Sequence, residues 1–266
     1  MFQNKDSWVE QIYQYVEYYY WEPQYLNKKT SIAEVRATMR KTEAPLNAIL
    51  NVSLRLLPSR ILTNLLSLFS KADFGKEFAL IDILSIIPET GHFAQPDIAL
   101  ETNTSRIFIE TKIKADFTLP QTYKYIFLHA WWSQITGIYN KQPFIFFLSP
   151  NDIHKQWVAK ERNKIFVKDN SVTSIVEYLN ENPLPLKLGN LYSTEFLHKD
   201  TREILNIQQL GSTTWQNIGD YLNDEFENIK QQIHDDSQEV ITKIIYDFLS
   251  ELKNRNLYIP NLESFS

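Results

Sequence analysis

The apolar positions of this chain recur with two different periods, and the changes of period mark out its elements. Trp8, Ile12, Tyr15 and Tyr19 recur at helical spacing and predict an amphipathic helix over 6–21. A longer helix is expected from Thr42, a residue suited to the N-cap, to about Phe69. Glu43 and Pro45 stand in its first turn, Leu46, Ile49, Leu50, Leu54 and Leu57 form its apolar stripe, and Pro58 kinks or splits it. Residues 77–87, EFALIDILSII, read as a strand, and a turn-rich PETGHFAQ segment follows. Residues 119–139 return to helical period through Tyr123, Phe127, Ala130, Trp131, Ile135 and Ile138, and PFIFFLS at 143–149 is the unbroken apolar run of a strand buried on both faces. The order helix, three strands, helix, strand predicts an α/β core: a central mixed β-sheet flanked by helices. A short helix is expected at 171–181 and a loop-rich connector at 183–200. From about 201 the chain reads as mainly helical, with Val240, Ile241, Ile244, Ile245, Phe248, Leu249 and Leu252 as an apolar stripe.

The two strands after PETGHFAQ form one hairpin. Residues 96–102 and 106–113 are short β-branched runs around the turn-prone Asn103-Thr104-Ser105. A turn centred between Asn103 and Thr104 sets Ile98 against Ile109, Leu100 against Ile107, Glu101 against Arg106 and Asp97 against Glu110. Strand alternation then gathers Asp97, Ala99, Phe108, Glu110 and Lys112 on one face. Carboxylates opposed at about 5 Å repel unless a cation stands between them. A divalent metal and the nearby lysine would relieve that cost.

Composition narrows the candidates. The chain has 266 residues, no cysteine and a net charge of −5. Disulfides and thiolate metal sites are therefore excluded, in keeping with a reducing compartment. No apolar run reaches membrane-spanning length and the N-terminus is too polar for a signal peptide, so a soluble, cytoplasmic protein without a membrane partner is expected. Charge is uneven: residues 1–199 hold 22 Lys and Arg against 20 Asp and Glu, whereas residues 200–266 hold 5 against 12. A polyanion would meet the first part and avoid the second. The basic run HKQWVAKERNKIFVK at 154–168 is either a solvated face or a phosphate contact. Dense aromatics in residues 6–21 suit core or subunit packing better than base stacking. The five histidines show no paired ligand spacing, and with six glycines and no Gly-rich phosphate loop an NTPase is not indicated.

Pro96-Asp97, a gap of 12 residues and Glu110-Thr111-Lys112 resemble the signature of the PD-(D/E)XK nuclease superfamily. Glu43 stands where members often carry an acid near the start of the preceding helix. Gln121-Thr122-Tyr123-Lys124-Tyr125 resembles the Gln-x-x-x-Tyr motif of RecB-like members, and PFIFFLS matches the strand that follows. The ordered match covers about 42–150. The resemblance implies a restriction-endonuclease-like core at 42–182, after an N-terminal helical segment at 1–41 and before a helical, acidic extension at 183–266. It implies a metal site of Asp97, Glu110, the Thr111 carbonyl and Glu43, with Mg²⁺ bound and Mn²⁺ able to substitute. Lys112 would orient or deprotonate the attacking water, and Gln121 and Tyr125 would position that water or a phosphate.

The expected activity is a Mg²⁺-dependent deoxyribonuclease, in a restriction, phage-defence or repair setting. A ribonuclease and a catalytically silent binding or assembly module with the same fold stand as alternatives. Residue by residue, Asp97 could bridge Lys112 structurally, Glu43 could serve only its helix start, and Gln121 and Tyr125 could be ordinary helix surface. Asp82 is a rival metal acid whose spacing to Glu110 fits less well. The acidic C-terminal part is expected to serve packing, dimerisation or binding of a protein partner.

Overall fold

The computed structural model describes residues 7–16, 34, 37, 39–82, 95–114, 119–151, 210–231 and 236–260. The segments 154–168, 171–181 and 183–200 lie outside these residues. The protein is α/β, with a five-stranded mixed sheet. It divides into two compact units, residues 1–65, 111–114 and 214–266 in one and 66–110 and 115–213 in the other.

The second unit is organised by the sheet, whose strands lie in chain order: β1 (Ala79–Leu80), β2 (Ile98–Glu101), β3 (Ser105–Thr111), β4 (Gln142–Ser149) and β5 (Leu210–Thr214). The hairpin register is the one the sequence predicts. Ile98 pairs with Ile109, Ala99 with Phe108, Leu100 with Ile107 and Glu101 with Arg106. Its turn is fixed by Thr102, whose hydroxyl accepts from the backbone N–H groups of Thr104 and Ser105 and donates to the Phe74 carbonyl at 2.5 Å. Of the strand expected at 77–87, residues 83–87 lie outside the described residues, and within 77–82 the strand is short. Ala79 and Leu80 pair with β2, Ile81 adds one bond to the Ala99 carbonyl, and Asp82 is already exposed.

β3 is buried along its whole length. Helix α4 (Leu119–Thr136) follows it and stops at Gly137, whose φ of +68° closes the helix three residues before the apolar pattern ends. Ile135 and Ile138 are exposed, contrary to the predicted stripe. Among the described side chains the buried side of α4 is Tyr125, Leu128, His129, Trp131, Trp132 and Ser133, so Trp131 is buried as expected, while the side chains of Tyr123, Phe127 and Ala130 lie outside the described residues. β4 is buried from Pro143 to Ser149 as expected, and starts beside β3, with the Gln142 N–H on the Thr104 carbonyl at 2.8 Å. Phe69 stacks on Phe146 at 4.9 Å and Phe74 meets Phe144 edge-on at 5.0 Å. β5 was not expected. Its Gly211 lies so close to the Phe69 backbone that a side chain there would collide with it.

The first unit is helical: α1 (Trp8–Val16), α2 (Glu43–Leu56), α3 (Ser59–Leu66), α5 (Trp215–Lys230) and α6 (Asp236–Asn254). Pro58 separates α2 from α3, because its ring cannot continue the hydrogen-bond ladder. Thr42 takes the extended N-cap conformation but caps nothing with its side chain; its hydroxyl donates to the Met39 carbonyl instead. Thr214 does cap α5, accepting from the Asn217 N–H at 3.1 Å. The stripe of α1 is rotated by one residue from the predicted one. Val9 and Tyr13 are buried, while Trp8 and Ile12 are half-buried. In α6 the expected Ile244, Ile245, Phe248, Leu249 and Leu252 are core, Ile241 is half-buried and Val240 is exposed.

A polar cluster runs through this helical core. The Glu251 carboxylate accepts from the Tyr13 hydroxyl and from Arg255 Nε at 2.6 Å, and Arg40 Nε lies 3.5 Å from its other oxygen. Arg255 also donates to the carbonyls of Arg40 and Thr42, tying the end of α6 to the entry of α2. The Trp8 backbone N–H donates to Asp247 at 3.1 Å. Among the described residues no helix is long and apolar enough to cross a membrane.

Candidate functional site

In the sheet unit, the hairpin and α4 bring Asp97, Glu110 and Tyr125 together. Asp97 directly precedes the first paired residue of β2 and Glu110 directly follows its partner on β3. Glu110 is 4% exposed, and the Tyr125 hydroxyl donates to its Oε2. Burial, and after it the charges of Glu110 and Asp97, hold the Tyr125 phenol well above its ordinary pKa. Tyr125 is thus a permanent donor at neutral pH, and it fixes how the Glu110 carboxylate is turned. Its ring lies on Phe108 at 5.9 Å. Gln121, one turn earlier on α4, is in the helix, and its side chain lies outside the described residues.

Arg106 anchors α4 from below. Its guanidinium pairs with Glu101 at 3.1 Å, donates to Ser133 Oγ at 2.7 Å and to Thr136 Oγ1 at 3.2 Å, and stacks over Trp132 at 4.4 Å. The pairing with Glu101 follows from the hairpin register, but the grip on the far end of α4 does not. It needs the crossover helix to return over the same face. Burial lowers the pKa of this arginine, and its pairing with Glu101 opposes the shift. His129 beside it is pushed down to about 3, by burial first and by Arg106 second, so its ring is neutral and structural.

In the helical unit, the first two turns of α2 hold the three residues that follow Glu110. Glu43 Oε2 pairs with Lys112 Nζ at 3.4 Å, and its Oε1 accepts from the Ile113 N–H at 3.3 Å. Asn47, one turn on, accepts from the Thr111 hydroxyl at 2.5 Å. The Lys112 carbonyl accepts from Trp215 Nε1 at 2.8 Å. Lys112 therefore has an ion-pair partner in Glu43. Asn47 and Trp215 were not singled out from sequence. The signal for Asn47 was there, four residues after Glu43 on the same helix face; Trp215 carried none.

Asp97 and Glu110 supply hard carboxylate oxygens of the kind Mg²⁺ takes, alongside the several waters it retains. Both oxygens of Glu43 already receive donors within its own unit. Among the described residues no group of three or more His, Asp or Glu side chains is gathered closely enough to hold a metal ion by itself. A cation here would rest on the two hairpin acids, with backbone oxygen and water completing its shell. Asp82 is exposed at the end of β1. Comparison of the chain with protein-family profiles, with curated proteins and with solved structures finds no match.

Proposed function

We propose that this protein is a metal-dependent nuclease with a restriction-endonuclease-like core, hydrolysing phosphodiester bonds in DNA. The observation that carries the reading is the hairpin register that sets Asp97 across from Glu110, whose carboxylate accepts from the buried Tyr125 hydroxyl. A fold gains little from two carboxylates set side by side under a helix, whereas a phosphodiesterase needs them. A bound Mg²⁺ would supply charge neutralisation at the phosphate and a more acidic water. The chain's own residues do the rest. Tyr125 keeps the Glu110 carboxylate in one orientation, and Lys112, two residues on, offers an ammonium to orient the attacking water or offset negative charge on the phosphate. Glu43, by pairing with that ammonium, would hold it in place until a phosphate competes for it.

The test is incubation of the full chain with labelled double-stranded DNA, single-stranded DNA and RNA, with Mg²⁺ and with EDTA. DNA should be cut only with the metal, and Asp97→Ala or Lys112→Ala should abolish cutting. Unchanged cleavage by either variant would falsify the mechanism, and cleavage of RNA alone would reassign the substrate. A second reading, a silent module that keeps the fold, is favoured by one observation: the Glu43–Lys112 ion pair also serves as a plain structural clamp on residues 111–113. Calorimetry with Mg²⁺ and Mn²⁺ separates the two, since a silent module takes up neither.

A further inference from the structure

A cavity of about 460 Å³ lies wholly within the helical unit, and four of its lining side chains are cationic: Arg40, Lys41, Lys114 and Arg255. Its size falls in the range of about 300–1,000 Å³ typical of small-ligand sites. The four cations are not equivalent. Arg255 is spent on the architecture, donating to Tyr13, Glu251 and the carbonyls of Arg40 and Thr42. Arg40 is balanced by Glu10 at 2.9 Å and by Glu251 behind it. Lys41 and Lys114 are exposed, and neither is in an ion pair among the described residues. Among the described residues no carboxylate lines the cavity. Its described lining thus carries two positive charges without an ion-pair partner there, with half-exposed Arg40 as a further donor.

The helix end that forms one wall would ordinarily oppose an anion, since its last carbonyls are negative. Here they are covered. The Leu257 N–H returns to the Leu252 carbonyl at 2.9 Å and the Asn256 N–H to the Lys253 carbonyl at 3.0 Å, with Asn256 in the left-handed conformation at φ +57°. Asn254, Asn256, Leu257 and Ile113 line the same space. The lining therefore combines cationic residues with apolar ones and with two asparagines. That combination suits a ligand that carries both a phosphate and a flat, edge-polar ring.

We propose that this cavity binds a nucleotide, its phosphate held by Lys41, Lys114 and Arg40 and its base against Leu257, Ile113 and the two asparagines. Binding there does not depend on phosphodiester cleavage. Calorimetry on the full chain in EDTA, where hydrolysis is silent, uses adenosine 5′-monophosphate, adenosine, inorganic phosphate and a short single-stranded oligodeoxyadenylate as probes. The monophosphate should bind more tightly than either adenosine or phosphate, and added salt should weaken it. The Lys41→Ala/Lys114→Ala variant, which removes only exposed side chains, should weaken binding about tenfold. Binding of the oligonucleotide alone, with the same loss in the variant, identifies a nucleotide within a strand as the natural ligand. Adenosine or phosphate binding as tightly as the monophosphate, an unaffected double variant, or no binding of any probe overturns the proposal.

Discussion

Replacing Tyr125 with Phe removes one oxygen and leaves the ring packed on Phe108. The lost group is a donor to a carboxylate in a nearly water-free position, for Glu110 is 4% and Tyr125 3% exposed. A hydrogen bond to a charged group of that kind is worth about 1.5–3 kcal/mol, and burial allows no large discount for solvent screening. Unfolding free energy at pH 7.5 should therefore fall by about 2 kcal/mol. The same substitution removes a titration. The folded phenol is held well above its usual value, so it stays protonated while the unfolded phenol ionises near pH 10. Stability due to this group is fully present below that value and declines as pH rises past it. One unit beyond, the unfolded state of the wild type gains about 1.4 kcal/mol that the Phe variant's does not. The gap between the two proteins should thus close by about that amount between pH 7.5 and pH 11. Tyr13, Tyr221 and Tyr258 are shifted upward as well, but they occur in both proteins and cancel in the difference. Urea unfolding followed by tryptophan fluorescence at several pH values measures the gap. A loss below about 0.5 kcal/mol at pH 7.5, or a gap that does not change with pH, would refute the role assigned to Tyr125.

Arg106→Lys should cost about 2 kcal/mol or more, because an ammonium cannot reach Glu101, Ser133 and Thr136 at once or lie flat on Trp132; thermal unfolding would register it. His129 should show a flat NMR titration from pH 8 to pH 5, since its folded pKa is about 3. Unfolded His129 gains a proton below about 6.5, so this residue weakens the fold as pH falls from there toward 3. Gly219→Ala should destabilise the helical unit by about 1–3 kcal/mol, because a methyl group there would strike the Tyr258 ring; the midpoint of urea unfolding reports it.

The hairpin was legible in the sequence because three local signals agree: a turn-prone tripeptide, alternation on both sides, and a charge pair in register with the aliphatic pairs. β4 was legible as an apolar run too short for a helix, and Pro58 announced the break between α2 and α3. α4 misled because aromatic and aliphatic residues occur all round it, and so periodicity cannot choose a face. The tertiary structure chooses it through Phe108 and Arg106, which select Tyr125 and Trp132. The glycine at 137 then ends the helix while the apolar pattern runs on. β5 is short and rich in Gly, Ser and Thr, so only its place beside β4 makes it a strand. For the candidate site, the acids and Tyr125 could be named from sequence. The clamp of Glu43 and Asn47 on residues 111–113 required α2 to be seen in place, and the bond from Trp215 joins positions 103 residues apart.

The contacts that close the helical core have a bearing on how the protein is made. Trp8 meets Asp247 across 239 positions and Tyr13 meets Glu251 across 238. Contacts so distant along the chain must wait for loop closure and slow the search for the native state. During translation α1 and α2 leave the ribosome before the sheet unit is synthesised, and their partner α6 emerges only after most of it. The early helices are therefore the segment most exposed to chaperones or to association with other nascent chains, and a stop codon before position 251 would strand them permanently.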